Sequence, residues 1–378
     1  MGEPDLMQGA HAIRVAVEDI EVRLGLRRDG HDGSGGYAMS AMGGNALMLF
    51  AMDSSRAFAE QVAAQLGIKL SPHEERRFED GEHKERTLAS VRGRDVFVLQ
   101  SLYADPAQSV DDKLCRLLFF IGALKDAAAS RVTAIVPYLA YARKDQKSQA
   151  RDPVTSRYVA TLFEAVGTDV VVTLDVHNLA AFQNAFRCRT EHLEARPLFV
   201  AHFAALLAER DVVDVVDSVD VVVVSPDAGG IKRAEKFRHS LIRVLGRPVD
   251  TAFAEKFRSG GVLTGERIVG DVKGKVVIII DDLVSSGATL ARTALACHAL
   301  GATRIFGAAT HGLFMGDAPA LLADSPMERI VVTDAVPAFR LEHSRARDKV
   351  SILSCTGLLA QAIQRLHDGG SITELTAS

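Results

Sequence analysis

From Val276 to Ile280 every residue is β-branched and none is polar. A strand with one wet face alternates polar and apolar side chains, so an unbroken run of this kind fits a strand buried on both faces of a parallel sheet. The rest of the chain agrees. Strands are expected at Leu47 to Met52, Asp95 to Gln100, Arg131 to Pro137 and Asp169 to Asp175, with helices at Arg56 to Leu66, Asp111 to Ala128 and Ser156 to Val166. The pattern restarts near residue 198. A helix at Leu198 to Leu207, a strand at Val221 to Ser225 and a helix at Ile231 to Leu241 lead to the opening run. Its own helix follows, then strands at Arg304 to Ala309 and Arg329 to Thr333 and a helix at Leu358 to Leu366.

Repeated strand and helix units of this kind predict an α/β fold with two similar halves, each a mainly parallel sheet flanked by helices. The expected domains are 46 to 197 and 198 to 378, with the last residues packing back on the N-terminal half. A length of 378 residues suffices for two cores. Residues 1 to 45, rich in Gly and Ser from Arg28 to Gly44, are expected to be a flexible extension. Forty-four basic against 48 acidic residues argue against a nucleic-acid or acidic-membrane surface. Cys115, Cys188, Cys297 and Cys355 stand far apart, which fits a reduced cytoplasmic compartment better than a disulfide framework or zinc site. No apolar stretch approaches the roughly 20 residues that span a bilayer.

In parallel sheets ligands sit beyond the carboxyl ends of the strands, which directs attention to the polar clusters there. The opening run is expected to stop at Asp281 and Asp282, followed by Ser285, Ser286, Gly287, Ala288 and Thr289. Small residues opening a helix let backbone N–H groups close on a phosphate, so this segment reads as a sugar-phosphate cradle. An ordinary acidic turn is the plain alternative. Ser225 to Gly230, SPDAGG, follows Val221 to Val224; its glycines suit a diphosphate and Asp227 suits a metal ion, while a helix cap explains it equally well. Asp175 and His177 end another strand, and their spacing of two points both to one face. A carboxylate and an imidazole so placed can hold a hydrated cation or meet a nucleotide phosphate, although a solitary histidine is more often structural. Tyr141 to Arg157, with Arg143, Lys144, Lys147, Arg151 and Arg157, reads as a mobile cationic loop or merely a solvated one. Lys256 and Arg258 stand two apart before a Ser-Gly-Gly turn, a pair suited to charge developing in phosphoryl transfer. Phe78, Asp80, Gly81 and Glu82 offer a ring and acids adequate for adenine and ribose, and prove nothing alone.

Taken in order, RRFEDGE, SVRGRDVFVLQS, PYLAYARKDQK, TLDVH, VVSPDAGG and IIDDLVSSGAT resemble the ribose-phosphate pyrophosphokinase, or phosphoribosyl diphosphate (PRPP) synthetase, family from about Leu47 to Ile372. The resemblance implies two phosphoribosyltransferase-type domains and Mg2+-dependent transfer of the β,γ-diphosphate of ATP to the C1 hydroxyl of ribose 5-phosphate. It implies that Phe78, Asp80, Gly81, Glu82, Arg143 and Lys144 meet ATP, and that Asp175, His177 and Asp227 lie near the metal. Lys256 and Arg258 match the catalytic basic pair, His177 is implied as a further catalytic residue, and Asp281, Asp282 and Ser285 to Thr289 are implied to hold the sugar phosphate. A homo-oligomer, dimer or hexamer, is also implied. Ser285 and Ser286 stand where many members have an acid and a threonine, Ala288 where glycine is usual, Lys144 where glutamine is common and Phe257 where another basic residue is usual. A PRPP-consuming phosphoribosyltransferase and a non-catalytic regulatory homologue are the alternatives.

Overall fold

The computed structural model describes residues 3–26, 46–208, 220–259 and 262–376. The chain forms two compact units, the first made of Leu24–Glu194 with Thr356–Ala377 and the second of Met1–Arg23 with Ala195–Cys355. Their limits differ from the expected halves, because the chain changes unit three times. At its start, residues expected to be flexible instead form a helix, α1 (Glu3–Arg23). Val17 and Ile20, three apart on its inner side, are buried, and α1 packs on a later helix of its own unit. The Gly- and Ser-rich stretch from Arg28 to Gly44 lies outside the described residues.

The first unit opens with β1 (Leu47–Ala51) and α2 (Arg56–Leu66), then an antiparallel hairpin of β2 (His73–Arg77) and β3 (His83–Thr87). After it come β4 (Asp95–Leu99), α3 (Val110–Asp126), β5 (Arg131–Val136), α4 (Thr155–Ala165), β6 (Val170–Leu174), α5 (Leu179–Ala185) and β7 (Arg189–Leu193). The sheet is parallel throughout, in the order β1-β4-β5-β6-β7. Ser109 starts α3 with a capping box: its hydroxyl accepts from the Asp112 amide at 3.1 Å while Asp112 accepts from the Ser109 amide at 2.9 Å. Leu114, Leu117, Leu118, Ile121 and Leu124 then fall on the buried face and pack over Val96, Val98, Val132 and Ala134 of the sheet.

The second unit comprises α6 (Arg196–Ala208), β8 (Val221–Ser225), α7 (Ile231–Leu245), β9 (Asp250–Ser259), β10 (Val262–Val269), β11 (Val276–Val284), α8 (Ala288–Ala299), β12 (Arg304–Gly312), α9 (Ala318–Asp324), β13 (Arg329–Thr333) and β14 (Val350–Leu353). Its strands lie in the order β10-β9-β8-β11-β12-β13-β14, parallel except for the β9–β10 ribbon. Val221 to Val224 and Val276 to Ile279 are wholly buried, as an unbroken β-branched run requires. Each such side chain contributes about 1.5–3 kcal/mol by leaving water. The chain then returns to the first unit with α10 (Thr356–Asp368), where Asp95 accepts from Arg131 Nε and pairs with His367 Nδ1, each at 2.7 Å. Among the described residues no helix is long and apolar enough to cross a membrane.

Candidate active site

The seven-stranded sheet reverses at β8. The chain steps outward from β8 to β9 and β10 on one side, then from β11 to β14 on the other, and ligands of open α/β sheets gather beyond the strand ends at such a reversal. β11 pairs with β8 only as far as Ile279 opposite Val224, yet stays paired with β12 through Asp281, Leu283 and Val284. The strand therefore does not stop at the acids, as the sequence suggests; its ladder to β12 carries Asp281 and Asp282 past the end of β8 and along an open edge. On the other flank Phe253 is level with Ser225, so the backbone of Lys256 lies three residues, about 10 Å, further toward the same end of the sheet. Lys256 and Arg258 occupy alternate positions of β9 there, opposite Glu266 and Leu263 of β10.

Beyond β8 the SPDAGG segment folds on itself. Ser225 Oγ donates to the Asp227 carbonyl at 2.6 Å, and Asp227 Oδ1 accepts from the Gly230 amide at 3.1 Å. A Cβ at Gly230 would lie 2.8 Å from Ser225 Oγ, so a larger residue there would displace the hydroxyl that ties the turn. The helix α7 begins immediately after, and its first turn supplies a residue that sequence reading passed over. Arg233 Nη1 stands 3.7 Å from Asp281 Oδ1 and 3.3 Å from Asp282 Oδ1. Its sequence signal was modest: a cation one turn after a glycine turn, with no acid beside it in sequence.

Asp281 and Asp282 are side by side and largely enclosed, their side chains 18 % and 7 % exposed. Burial first, and the like charge of Asp282 second, push the Asp281 carboxyl up to about 8, with Arg233 acting against both. The folded protein thus keeps a proton at Asp281 that the unfolded chain releases near the ordinary carboxylate pKa of about 4. Stability from this proton is full below about pH 4 and is lost as pH rises through about 8. Ligand-free protein is expected to melt progressively lower across that window. Asp281→Asn, which keeps the shape without the charge, is expected to melt above the parent at pH 8 by a few degrees (about 2–4 °C per kcal/mol). Superimposable melting curves of the two proteins at pH 5 and pH 8 would contradict this protonation.

After Val284 the chain turns tightly, with Leu313 and Phe314 amides donating to the Val284 carbonyl and the Met315 amide to that of Ser285. Gly287 begins α8 in the left-handed region, φ 72°, with no side chain capping the helix. The first amides of a helix have no partner within it, so their donors face the turn at Ser285, Ser286, Ala288 and Thr289. Ser286 is exposed, whereas Gly287 is buried. Such a turn has the backbone donors to receive an anion, beside two acids able to accept from hydroxyl groups.

The remaining candidates belong to the first unit. Phe78, Asp80, Gly81 and Glu82 form the exposed turn between β2 and β3. Lys144, in contrast, is engaged within its own loop, donating to Asp152 at 2.6 Å and Ser148 at 3.0 Å. The same Asp152 oxygen accepts from the Ser148 and Gln149 amides, and Lys144 is the leading cause holding its carboxyl well below the usual range. The segment expected to be a mobile cationic loop is thus gathered about an internal acid, while Arg143 points to solvent. Asp175 also differs from expectation. It lies past the end of β6 with φ 41°, so the alternation of a strand no longer relates it to His177: Asp175 is half-buried and His177 exposed. A non-glycine residue in that region is strained, a condition that gathers at functional sites. Asp227, the third expected metal ligand, is in the second unit. Among the described residues, Asp53, His73 and Glu75 bring ligand atoms within 4.8 Å of one another.

Comparison with known proteins covers both units. Residues 47–167 match the N-terminal domain of ribose phosphate pyrophosphokinase, 189–312 the phosphoribosyl transferase domain and 263–377 the phosphoribosyl synthetase-associated domain. A ribose-phosphate pyrophosphokinase of Caldanaerobacter subterraneus is 38% identical over 332 residues, 88% of this chain and 98% of the relative. Ribose-phosphate pyrophosphokinase 1 of Streptococcus pyogenes is 36% identical over 334 residues, 87% of this chain and 97% of its own. The crystal structure of phosphoribosylpyrophosphate synthetase from Mycobacterium smegmatis superposes with a TM-score of 0.75 at 34% identity, covering 86% of this chain and 100% of that one. None of the three family matches reaches α1.

Proposed function

The chain belongs to the ribose-phosphate pyrophosphokinase family, and from that membership we propose that it makes PRPP and AMP from ATP and ribose 5-phosphate. The observation that carries the reading is the meeting of the Ser225–Gly230 turn, the acids Asp281 and Asp282 and the Gly287 cradle at one sheet reversal. The cradle holds the 5-phosphate, and the acids accept from the ribose hydroxyls, which fixes the far end of the sugar and orients its C1 oxygen. That oxygen attacks the β-phosphorus, its proton leaves, and the bond from the β-phosphorus to the α,β-bridging oxygen breaks to release AMP. Lys256 and Arg258 sit on the growing negative charge of the transferring and leaving oxygens. Phe78, Asp80, Gly81 and Glu82, with Arg143, receive adenine and ribose of ATP. Lys144 serves by ordering its loop through Asp152.

Carboxylates suit Mg2+, which binds through one or two of them together with substrate phosphates. Half-buried Asp175 and Asp227 fit that donor chemistry, with His177 for a phosphate or a metal-bound water. Bound Mg2+ would neutralise charge on the β- and γ-phosphates. A homo-oligomer forms part of the same proposal, with mass in solution as its measure.

Purified protein given ATP, ribose 5-phosphate and Mg2+ is expected to release AMP and PRPP in equal amounts, and neither after the metal is chelated. ADP in place of AMP, or no reaction of a folded protein under these conditions, would exclude the proposed activity.

A further inference from the structure

The β2–β3 hairpin puts Glu75 directly opposite Glu85. Both side chains turn inward, 6 % and 1 % exposed. Like charges facing each other across a strand pair destabilise it, and removal from water adds to the cost. Burial is the largest influence on Glu85 and raises its carboxyl above the usual range; His83 and Arg116 oppose that rise, and Glu75 reinforces it.

Arg116, reaching up from α3, is the cation that meets both acids. Its Nη1 donates to Glu85 Oε1 at 3.1 Å and lies 3.7 Å from Glu75 Oε2, with the side chain 8 % exposed. Other contacts engage one acid each. His83 Nδ1 lies 2.9 Å from Glu85, while Glu75 accepts from the Asp53 amide at 2.5 Å and contacts His73 Nε2 at 3.1 Å. Asp53 is in turn paired with Arg56 at 2.6 Å. Above these acids the hairpin closes in a tight turn: the Phe78 amide donates to the Glu82 carbonyl at 2.7 Å, the Gly81 amide to that of Phe78 at 3.1 Å, and the Glu82 amide to Asp80 Oδ1 at 3.0 Å. A turn so tied moves as one piece with its strands. Splaying of β2 from β3 at the opposed acids would tilt Phe78, Asp80 and Glu82 together.

We propose that Arg116 is a positioning residue for the nucleotide: clamped between the two opposed carboxylates, it sets the angle at which the turn 78–82 meets the adenine and ribose of ATP. This rests on assigning that turn to ATP. Arg116 touches no substrate, so its effect belongs in nucleotide affinity and not in the chemical step.

The test is steady-state kinetics of the full chain. Arg116→Met keeps most of the stem and removes the charge; it is expected to raise KM for ATP about tenfold or more. KM for ribose 5-phosphate and kcat at saturating ATP should stay within about twofold. Adding Glu85→Gln, which ends the opposition of charges, is expected to restore most of the ATP affinity. An unchanged KM for ATP in folded Arg116→Met, or a double variant no better than the single one, overturns the proposal. If Arg116→Met alone does not fold, the double variant is compared with Glu85→Gln alone. Equal ATP affinity supports the clamp, and weaker binding by the double variant overturns it. Phe78→Ala separates the two layers. A raised ATP KM there, with Arg116→Met at the parent value, removes the clamp and keeps the ATP turn; no effect of Phe78→Ala removes both.

Discussion

Lys256→Ala is expected to lower kcat for PRPP formation by about 10²- to 10³-fold while leaving KM for both substrates within about threefold. A preorganised cation facing charge that develops only in the transition state contributes about 3–4 kcal/mol, which is this factor. The backbone argues that the loss will be chemical and not structural. β9 is held by ladders to β8 on one side and β10 on the other, and these bonds use main-chain groups that alanine retains. Lys256 also lies past the last pairing with β8, at Phe253 opposite Ser225, so its removal leaves the sheet core untouched. The melting temperature should therefore match the parent within about 1 °C. A loss confined to KM would reassign Lys256 to substrate binding, and an undiminished kcat would remove it from catalysis altogether.

Gly287→Val is expected to raise KM for ribose 5-phosphate about 100-fold, with KM for ATP little changed. Two effects combine at this position. With φ 72°, a β-branched residue is sterically disfavoured, at a cost of at least about 1–2 kcal/mol. A Cβ would also stand 3.1 Å from Leu322 Cγ and 3.2 Å from its Cδ2, both in a packed helix. Rotation of the start of α8 would relieve both, and would turn with it the amides assigned to the phosphate. Gly274 provides the control, since it shares φ 72° but has open space where a Cβ would go. Gly274→Val should carry a comparable backbone cost and leave the sugar-phosphate KM alone. If both variants weaken the sugar equally, general destabilisation and not the cradle is responsible. Normal sugar affinity in Gly287→Val would mean that the phosphate is held elsewhere.

The elements that sequence reading located and those it passed over differ in one respect, namely where their stability comes from. β8 and β11 were legible because burial on both faces demands apolar residues throughout. The helix Arg56–Leu66 was legible at both ends, its final turn closing on left-handed Gly67. The hairpin of β2, HEERR, and β3, HKERT, has no apolar alternation at all. It is held by cross-strand pairing and by charges brought from elsewhere, Arg116 among them, and no local pattern records that. The same holds for α1, whose apolar face has meaning only against α6 and α7.

For the candidate site, residue order offered the acids, the glycine turn and the basic pair as candidates, because strand ends and tight turns constrain residue type locally. The tertiary structure decided what lay between them in space. Extension of β11 along β12 after β8 has ended carries Asp281 and Asp282 past the last pairing with β8, and the first turn of α7 brings Arg233 against both. Asp152 draws Lys144 into its own loop, and the positive φ at Asp175 ends the regular alternation of the strand before His177. Pairing and burial join residues distant in sequence, and their energies depend on distance and desolvation, which a string of residue names does not contain.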